Sequence, residues 1–211
     1  MFVTAITQQK KDETRYNIFI DGTYAFALPM QDILYFKLKE GREVPEETVE
    51  YIQNSLIYIK AQDTALHYIG YKMRTVEEIR MKLSEKEFSE EVIEKVIAFL
   101  EKYGYAEDRE YCRKYIREKL RMKPKSGYAL KIELRQRGIS ARIIDEVMAE
   151  TEMDEAGDAF HWLERKSRGN WPPADEKQKK KLYDFLLRKG YSYDIIGEAF
   201  RQMNEAYGGE D

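Results

Sequence analysis

Residues 130–147 read LKIELRQRGISARIIDEV, and the same pattern of side chains is written three times along the chain. The first copy is IRMKLSEKEFSEEVIEKV at residues 79–96, and the third is LYDFLLRKGYSYDIIGEA at residues 182–199. The central leucine recurs after 51 and then 52 residues, at Leu83, Leu134 and Leu186. A fixed period of this length predicts a tandem array of one supersecondary unit, and such arrays usually hold long partners along their surface.

Each copy is predicted to fold as two helices joined by a short turn. Apolar residues four apart give the first of these helices one buried face. In the first copy Thr75 stands at the N-cap position of that helix and Glu78 follows three residues later, which is the pattern of a capping box. Ser126 is the expected cap of the equivalent helix in the second copy.

The turn between the two helices contains a glycine in two of the three copies. Gly138 and Gly190 can adopt a left-handed conformation, so we expect them to end the first helix. The first copy has Glu87 at this position, which predicts a strained or differently closed turn. Two residues later every copy has a serine that is predicted to cap the second helix: Ser89, Ser140 and Ser192.

A further helix is predicted before each pair, at residues 61–72, 108–122 and 155–166. The predicted fold is therefore mainly α-helical, a tandem array of three three-helix repeats, with nine helices between residues 61 and 207. The expected boundaries of the three repeats are 61–106, 107–153 and 154–211.

The first sixty residues have a different character. Short runs rich in β-branched and aromatic residues predict three strands, at residues 1–8, 16–20 and 24–28. Asp21-Gly22 is a tight-turn pattern between the last two. Helices at residues 31–37 and 45–60 are expected to join this small N-terminal β-hairpin or meander, residues 1–60, to the array, where it braces the first repeat.

Composition excludes several classes of protein. The chain has a net charge of −3, no long apolar run and no signal-peptide pattern, so we expect neither a membrane-spanning nor an exported protein. A single cysteine, Cys112, forbids an internal disulfide and falls on an apolar helix face, which predicts a buried, unreactive thiol. These features favour a reducing, cytoplasmic location and a monomer that does not bind membranes.

No pattern of catalytic residues is present. The two histidines, His67 and His161, lack the spacing of metal ligands, the glycines form no phosphate-binding loop, and no serine lies in a nucleophile elbow. The residues therefore predict no metal and no cofactor and offer no candidate catalytic residue, although these absences alone do not exclude an enzyme.

Charge is strongly segregated along the chain. Residues 109–142 contain twelve Lys or Arg and three Glu, a net of +9, whereas residues 143–163 contain seven acidic residues and no Lys or Arg. Residues 164–190 are basic again, with a net of +5. Such segregation on a helical array favours an anionic partner, and the acidic segment predicts a face that avoids DNA.

The basic segment also has helical geometry, because arginines recur every four residues from Arg109 to Arg121 and so share one helix face. Like charges at this spacing destabilise an isolated helix by a few tenths of a kcal/mol per pair, which favours a stabilising anion. The candidate residues for binding DNA or an acidic protein are Arg109, Arg113, Lys114, Arg117, Arg121, Lys123, Lys125, Lys131 and Arg135.

The chain resembles a known family at five segments that lie in the family's order. The resemblance is to the recombination regulator RecX of Gram-positive type, which has an N-terminal extension. The segments are 16–22 (YNIFIDG), 74–83 (RTVEEIRMKL), 103–111 (YGYAEDREY), 134–144 (LRQRGISARII) and 186–196 (LLRKGYSYDII). Each motif alone is weak, but three repeats in order at this spacing are specific; Glu87 departs from the family's usual glycine.

The resemblance implies a non-enzymatic regulator in DNA recombination, repair and the SOS response. It also implies that the array is elongated and curved, and we expect the candidate basic residues to line its concave face. It implies that the chain binds the filament of the recombinase RecA on single-stranded DNA and inhibits it. The residues alone leave two alternatives: a helical-repeat protein that binds nucleic acid independently of RecA, and a scaffold whose basic stripe meets only acidic protein.

Overall fold

The structure, a computed structural model, describes residues 1–10, 12–122, 124–168, 170–173 and 175–208. The chain divides into two compact units. The first unit comprises Met1–Arg74 and Ile79–Ala106, and the second comprises Thr75–Glu78 and Glu107–Asp211.

The first unit opens with a three-stranded antiparallel sheet in the order β1-β2-β3, which confirms the predicted meander. Its strands are β1 (Val3–Gln8), β2 (Arg15–Ile20) and β3 (Thr23–Pro29). Asp21 and Gly22 form the two-residue turn between β2 and β3, with φ of 49° and 81°. Positive φ at both positions is the type I′ geometry that matches the twist of a hairpin.

The helices that follow correct one predicted boundary. After α1 (Met30–Tyr35), α2 (Glu46–Tyr51) continues through a π-helical turn (Ile52–Leu56) into α3 (Ile57–Tyr71). The predicted helices at 45–60 and 61–72 are therefore one continuous element. The sequence around Lys60 contains neither a capping residue nor a helix breaker, and Ala61 is fully buried, so nothing ends the helix there.

The first repeat is completed by α4 (Val76–Glu85) and α5 (Glu90–Lys102). Thr75 and Glu78 form the predicted capping box, with N–H···O distances of 3.1 and 3.3 Å. Glu87 has φ of 59°, so this turn keeps the left-handed conformation without glycine and is strained, as predicted. The prediction for Ser89 was wrong, because its side chain caps no N–H; the carboxylates of Glu90 and Glu91 in the first turn of α5 complement the helix dipole instead.

The second and third repeats are α6 (Asp108–Met122), α7 (Gly127–Gln136), α8 (Ala141–Ala149), α9 (Glu155–Ser167), α10 (Glu176–Arg188) and α11 (Tyr193–Tyr207). Within the described residues, nine helices from α3 to α11 thus form the three predicted three-helix repeats. The side chains of three predicted serines accept hydrogen bonds as N-caps: Ser126, Ser140 and Ser192. Both turn glycines are left-handed, with φ of 83° at Gly138 and 88° at Gly190.

Within the second unit, two N-cap hydroxyls make the same hydrogen bond to a later turn. The N-cap hydroxyl of Thr75 donates to the carbonyl of Arg137 at 2.7 Å, and that of Ser126 donates to the carbonyl of Lys189 at 3.0 Å. Each acceptor is the residue before a turn glycine. A Cβ at position 138 would lie 2.2 Å from the Cβ of Glu77, so glycine is required for close approach as well as for its positive φ.

A second hydrogen bond also recurs at these junctions. The N–H of Val76 donates to the carboxylate of Asp108 at 2.9 Å, and the N–H of Gly127 donates to the carboxylate of Glu155. In both cases the acceptor lies in the first turn of the next repeat's first helix. Each junction therefore satisfies two polar groups at a helix terminus through the following repeat.

The sheet supplies the equivalent contact to the first repeat. Arg15 of β2 donates through Nη1 to the carbonyl of Lys86 at 2.7 Å, and Lys86 is the equivalent of Arg137 and Lys189. Its guanidinium also lies over the ring of Phe88, 5.5 Å from the centroid. A long arginine side chain donates to this carbonyl, whereas the short hydroxyls of Thr75 and Ser126 donate to the equivalent carbonyls of the later repeats.

Candidate nucleic-acid interface

The candidate arginines lie on α6, whose opposite face packs into the core of the second repeat. Cys112 and Ile116 are buried there, and burial raises the pKa of the Cys112 thiol to about 11. The thiol is therefore protonated at neutral pH, which confirms the predicted unreactive cysteine. This packing fixes the rotation of α6 and turns its arginine-bearing face outward.

The first half of the arginine stripe is paired with carboxylates of α8. Arg109 forms ion pairs with Glu146 and Glu150, and Arg113 contacts Glu150 at 3.0 Å. The hydrogen bond from Arg113 lowers the pKa of Glu150, so this carboxylate is ionised at neutral pH. The basic and acidic segments of the sequence, expected on separate faces, are thus brought together within one repeat.

The two arginines nearer the C-terminal end of α6 are not paired with carboxylates in this way. Arg117 and Arg121 are exposed and form no ion pair with any residue that the structure describes. Together with Arg113 they line a cleft of about 650 Å³ that Glu150 and Glu152 border on its other side. The cleft therefore combines unpaired guanidinium groups with exposed ion pairs that water screens and that exchange partners easily.

The other candidate cations lie in different surroundings. Lys131 pairs with Asp145 on α8 at 2.6 Å, which lowers the pKa of that carboxyl, and Lys114 contacts Glu110 within α6 at 3.4 Å. Arg135 is exposed on α7, and Lys123 lies outside the described residues.

Lys125 belongs to a half-buried polar cluster rather than to the exposed stripe. It pairs with Glu133, which also accepts a hydrogen bond from the hydroxyl of Tyr115 at 2.7 Å. Burial, with the hydrogen bond to Glu133, raises the pKa of Tyr115 to about 12. The guanidinium of Arg137 lies 5.1 Å from the centre of the same ring. Of the eight candidate residues that the structure describes, Lys125 therefore lies apart from the exposed arginines of α6. The role of all nine candidates in binding stays a prediction.

One cationic site was not predicted from the sequence, although the net positive charge of residues 164–190 indicated it. Four basic side chains line a cleft of about 450 Å³ at the end of α9 and the start of α10: Arg165, Lys166, Arg168 and Lys181. Among the described residues no cluster of three or more potential metal ligands is found, and no helix is long and apolar enough to cross a membrane.

Models of RecX domains match four segments of the chain in sequence order. The N-terminal domain of regulatory protein RecX matches residues 1–45, and the first, second and third RecX three-helix domains match residues 61–100, 108–148 and 154–200. The chain belongs to the RecX family. A regulatory protein RecX from Clostridium acetobutylicum is 34% identical over 206 residues, covering 95% of each chain. One from Bacillus subtilis is 32% identical, covering 96% of this chain and 77% of the relative.

Solved RecX structures share the fold. A crystal structure of regulatory protein RecX matches with a TM-score of 0.65 and 28% identity, covering 93% of this chain and 97% of that chain. RecX from Lactobacillus salivarius matches with a TM-score of 0.66 over 71% of this chain and 98% of that chain; at 24% identity it supports the fold alone.

Proposed function

We propose that this RecX-family chain binds the filament that the recombinase RecA forms on single-stranded DNA, and lowers the activity of that filament in the cytoplasm without catalysing a reaction. The observation that carries the proposal is the match of all four RecX domains, in order, to a chain whose relatives are named regulatory proteins. The exposed cations of α6 supply a physical means of contact with an anionic polymer.

Contact with the filament begins at the unpaired charges. Arg117 and Arg121 meet phosphates of the DNA or carboxylates of the recombinase, because guanidinium groups bind both in bidentate fashion. Arg109 and Arg113 then exchange the carboxylates of α8 for the new anion. Exposed ion pairs contribute little to stability, so this exchange has a small cost.

Inhibition follows from differential affinity. Three helical repeats present a binding surface in series, so one chain can contact more than one recombinase protomer. If the chain binds more tightly to a filament that cannot grow than to one that can, it shifts the population toward the first by that difference in binding free energy.

The proposal is tested by comparing three ligands for the purified full-length chain: bare single-stranded DNA, recombinase alone, and the assembled filament, each across a salt series. We expect the filament to bind more tightly than either component at every salt concentration, and DNA-dependent ATP hydrolysis by the recombinase to fall. Equal affinity for bare DNA and filament would favour a nucleic-acid-binding protein that acts independently of RecA, and would contradict the proposal.

A matched pair of variants tests the α6 surface. Arg117→Gln/Arg121→Gln removes the two unpaired cations of the cleft. Lys179→Gln/Arg201→Gln removes two cations of the third repeat that are each paired with a carboxylate, at 3.5 and 2.5 Å, and so changes the net charge equally. We expect weaker filament inhibition from the first variant only. Equal inhibition by both would remove Arg117 and Arg121 from the mechanism.

A further inference from the structure

The third repeat contains a cationic cleft whose basic side chains form no ion pair with any residue that the structure describes. It lies between the C-terminal end of α9 and the start of α10, has a volume of about 450 Å³ and is bordered also by Asn170 and Gln178. Its four basic side chains are exposed, and within the described part of the chain none of them forms an ion pair: Arg165, Lys166, Arg168 and Lys181. No described residue that lines the cleft carries a carboxylate.

Three acidic residues near the cleft in sequence are held by other partners. The carboxylate of Glu164 accepts a hydrogen bond from the hydroxyl of Tyr207 and contacts His161 at 3.5 Å. Asp175 caps α10 by accepting from the N–H of Gln178 at 2.7 Å, and Glu176 pairs with Lys179. The cleft therefore keeps its positive charge, in contrast to the paired arginines of α6.

Aromatic rings hold two of the cations in place. The guanidinium of Arg165 lies 5.4 Å from the centre of the Trp162 ring, and the ammonium of Lys166 lies 5.3 Å from that of Phe185. A ring orients a cation without cancelling its charge. Two of the four positive charges are thus positioned before any ligand arrives, which lowers the entropic cost of binding.

The backbone at the cleft is compatible with an anion despite the helix that ends there. The C-terminus of α9 contributes a partial negative charge of roughly half a unit, which four full positive charges exceed several-fold. Arg168 follows α9 in the left-handed conformation, with φ of 52°. Like charges gathered in one concave site repel one another, and an anionic ligand relieves that repulsion.

We propose that this cleft binds the phosphate backbone of a single nucleic-acid strand, as a second contact separate from the α6 surface. The choice of a nucleic-acid strand as the ligand rests on the proposed function, whereas the charge and shape of the cleft are observed independently of it. Guanidinium and ammonium groups bind phosphate oxygens by charge-assisted hydrogen bonds, and the release of counterions makes such binding depend steeply on salt. The cleft contacts the backbone, so binding does not depend on base identity.

The test measures binding of a fluorescently labelled oligothymidylate to the full-length chain between about 50 and 200 mM salt. The test variant is Arg168→Gln/Lys181→Gln, which removes one cation from each side of the cleft. The control is again Lys179→Gln/Arg201→Gln, which changes the net charge equally in the same repeat. Circular dichroism verifies that both variants are folded.

Each phosphate contact to a single strand contributes about 0.7 to the slope of log affinity against log salt, so we expect the slope of the test variant to be shallower by about 1.4 than that of the control. The same difference is expected with an abasic oligonucleotide, because the contacts are to phosphates. Identical slopes for test and control variants would overturn the inference, and so would a difference that disappears on the abasic strand.

The outcomes separate this inference from the proposed function. If Arg117→Gln/Arg121→Gln weakens filament binding while Arg168→Gln/Lys181→Gln binds the oligonucleotide as the control does, the cleft is refuted and the proposed function stands. If the cleft variant loses affinity for the strand but the wild-type chain does not prefer the filament, the proposed function is refuted and the cleft stands.

Discussion

Replacing Ser126 with alanine removes two hydrogen bonds from the junction between the second and third repeats. The hydroxyl of this fully buried residue accepts from the N–H of Ala129 at 3.2 Å and donates to the carbonyl of Lys189 at 3.0 Å. Loss of an N-cap costs about 1 kcal/mol, and loss of the hydrogen bond to the half-buried carbonyl costs about 0.5–1.5 kcal/mol more. We expect Ser126→Ala to lower the free energy of unfolding by about 1.5–2.5 kcal/mol.

Ser140→Ala is the matched control. Ser140 also caps a helix, accepting from the N–H of Ile143 at 3.4 Å, but it is exposed, and its hydroxyl makes no bond to another repeat within the described residues. This substitution therefore removes the cap alone and is expected to cost about 1 kcal/mol. The difference between the two variants isolates the bond from Ser126 to Lys189.

The assay is unfolding in urea followed by two signals. Both tryptophans, Trp162 and Trp171, lie in the third repeat, so fluorescence reports on that repeat, whereas circular dichroism reports on all helices. In a repeat array each unit is stabilised by its neighbours. We therefore expect the fluorescence midpoint of Ser126→Ala to fall below its circular dichroism midpoint. Coincident midpoints, or a loss of stability no larger than that of Ser140→Ala, would refute the reasoning.

Three further substitutions test the junctions and turns. Gly138→Ala places a Cβ at a left-handed position and 2.2 Å from Glu77, whereas Gly104→Ala adds only the penalty of the left-handed conformation. In urea unfolding we expect Gly138→Ala to lower the free energy of unfolding by about 1–3 kcal/mol more than Gly104→Ala. Equal losses would contradict the close approach. Glu87→Gly removes a penalty of about 1–2 kcal/mol for the left-handed conformation but raises the conformational entropy of the unfolded chain. We expect the thermal midpoint to rise by an amount equivalent to about 0.5–1 kcal/mol. A lower midpoint would contradict strain at Glu87. Burial raises the pKa of Asp108 above its ordinary value of 3.8, so the stability that this group contributes is lost as pH rises through its folded-state pKa. We therefore expect Asp108→Asn to be at least as stable as the wild type at about pH 7. At lower pH the urea midpoint of the wild type should rise relative to that of the variant.

The helical repeats were predictable because their signals are local. A cap and its N–H groups lie within four residues of each other, and a left-handed turn needs a residue type that is visible in the sequence. Ser126 and Gly138 therefore took the predicted roles. The wrong prediction at Ser89 has the same origin, since a local pattern does not reveal whether the first turn is stabilised by carboxylates instead.

The candidate interface was less predictable, because charge counts do not state which side chains face each other. Arg109 and Glu150 are 41 residues apart, yet they pair. No local pattern signals this contact, which depends on the packing of α6 against α8. The net charge of residues 164–190 was visible, but only the fold distinguishes Lys179, which is paired, from Lys181, which forms no ion pair with a described residue.

The repeat period, the three-helix unit and the position of each turn could be predicted from the residues alone, since helices and turns follow from local pattern and backbone preference. The joining of the repeats and the pairing of each described cation depend on the tertiary structure. Arg15 and the carbonyl of Lys86 are separated by 71 residues, and Ser126 and that of Lys189 by 63. Contacts of this range depend on the packing of whole helices, which no local pattern specifies.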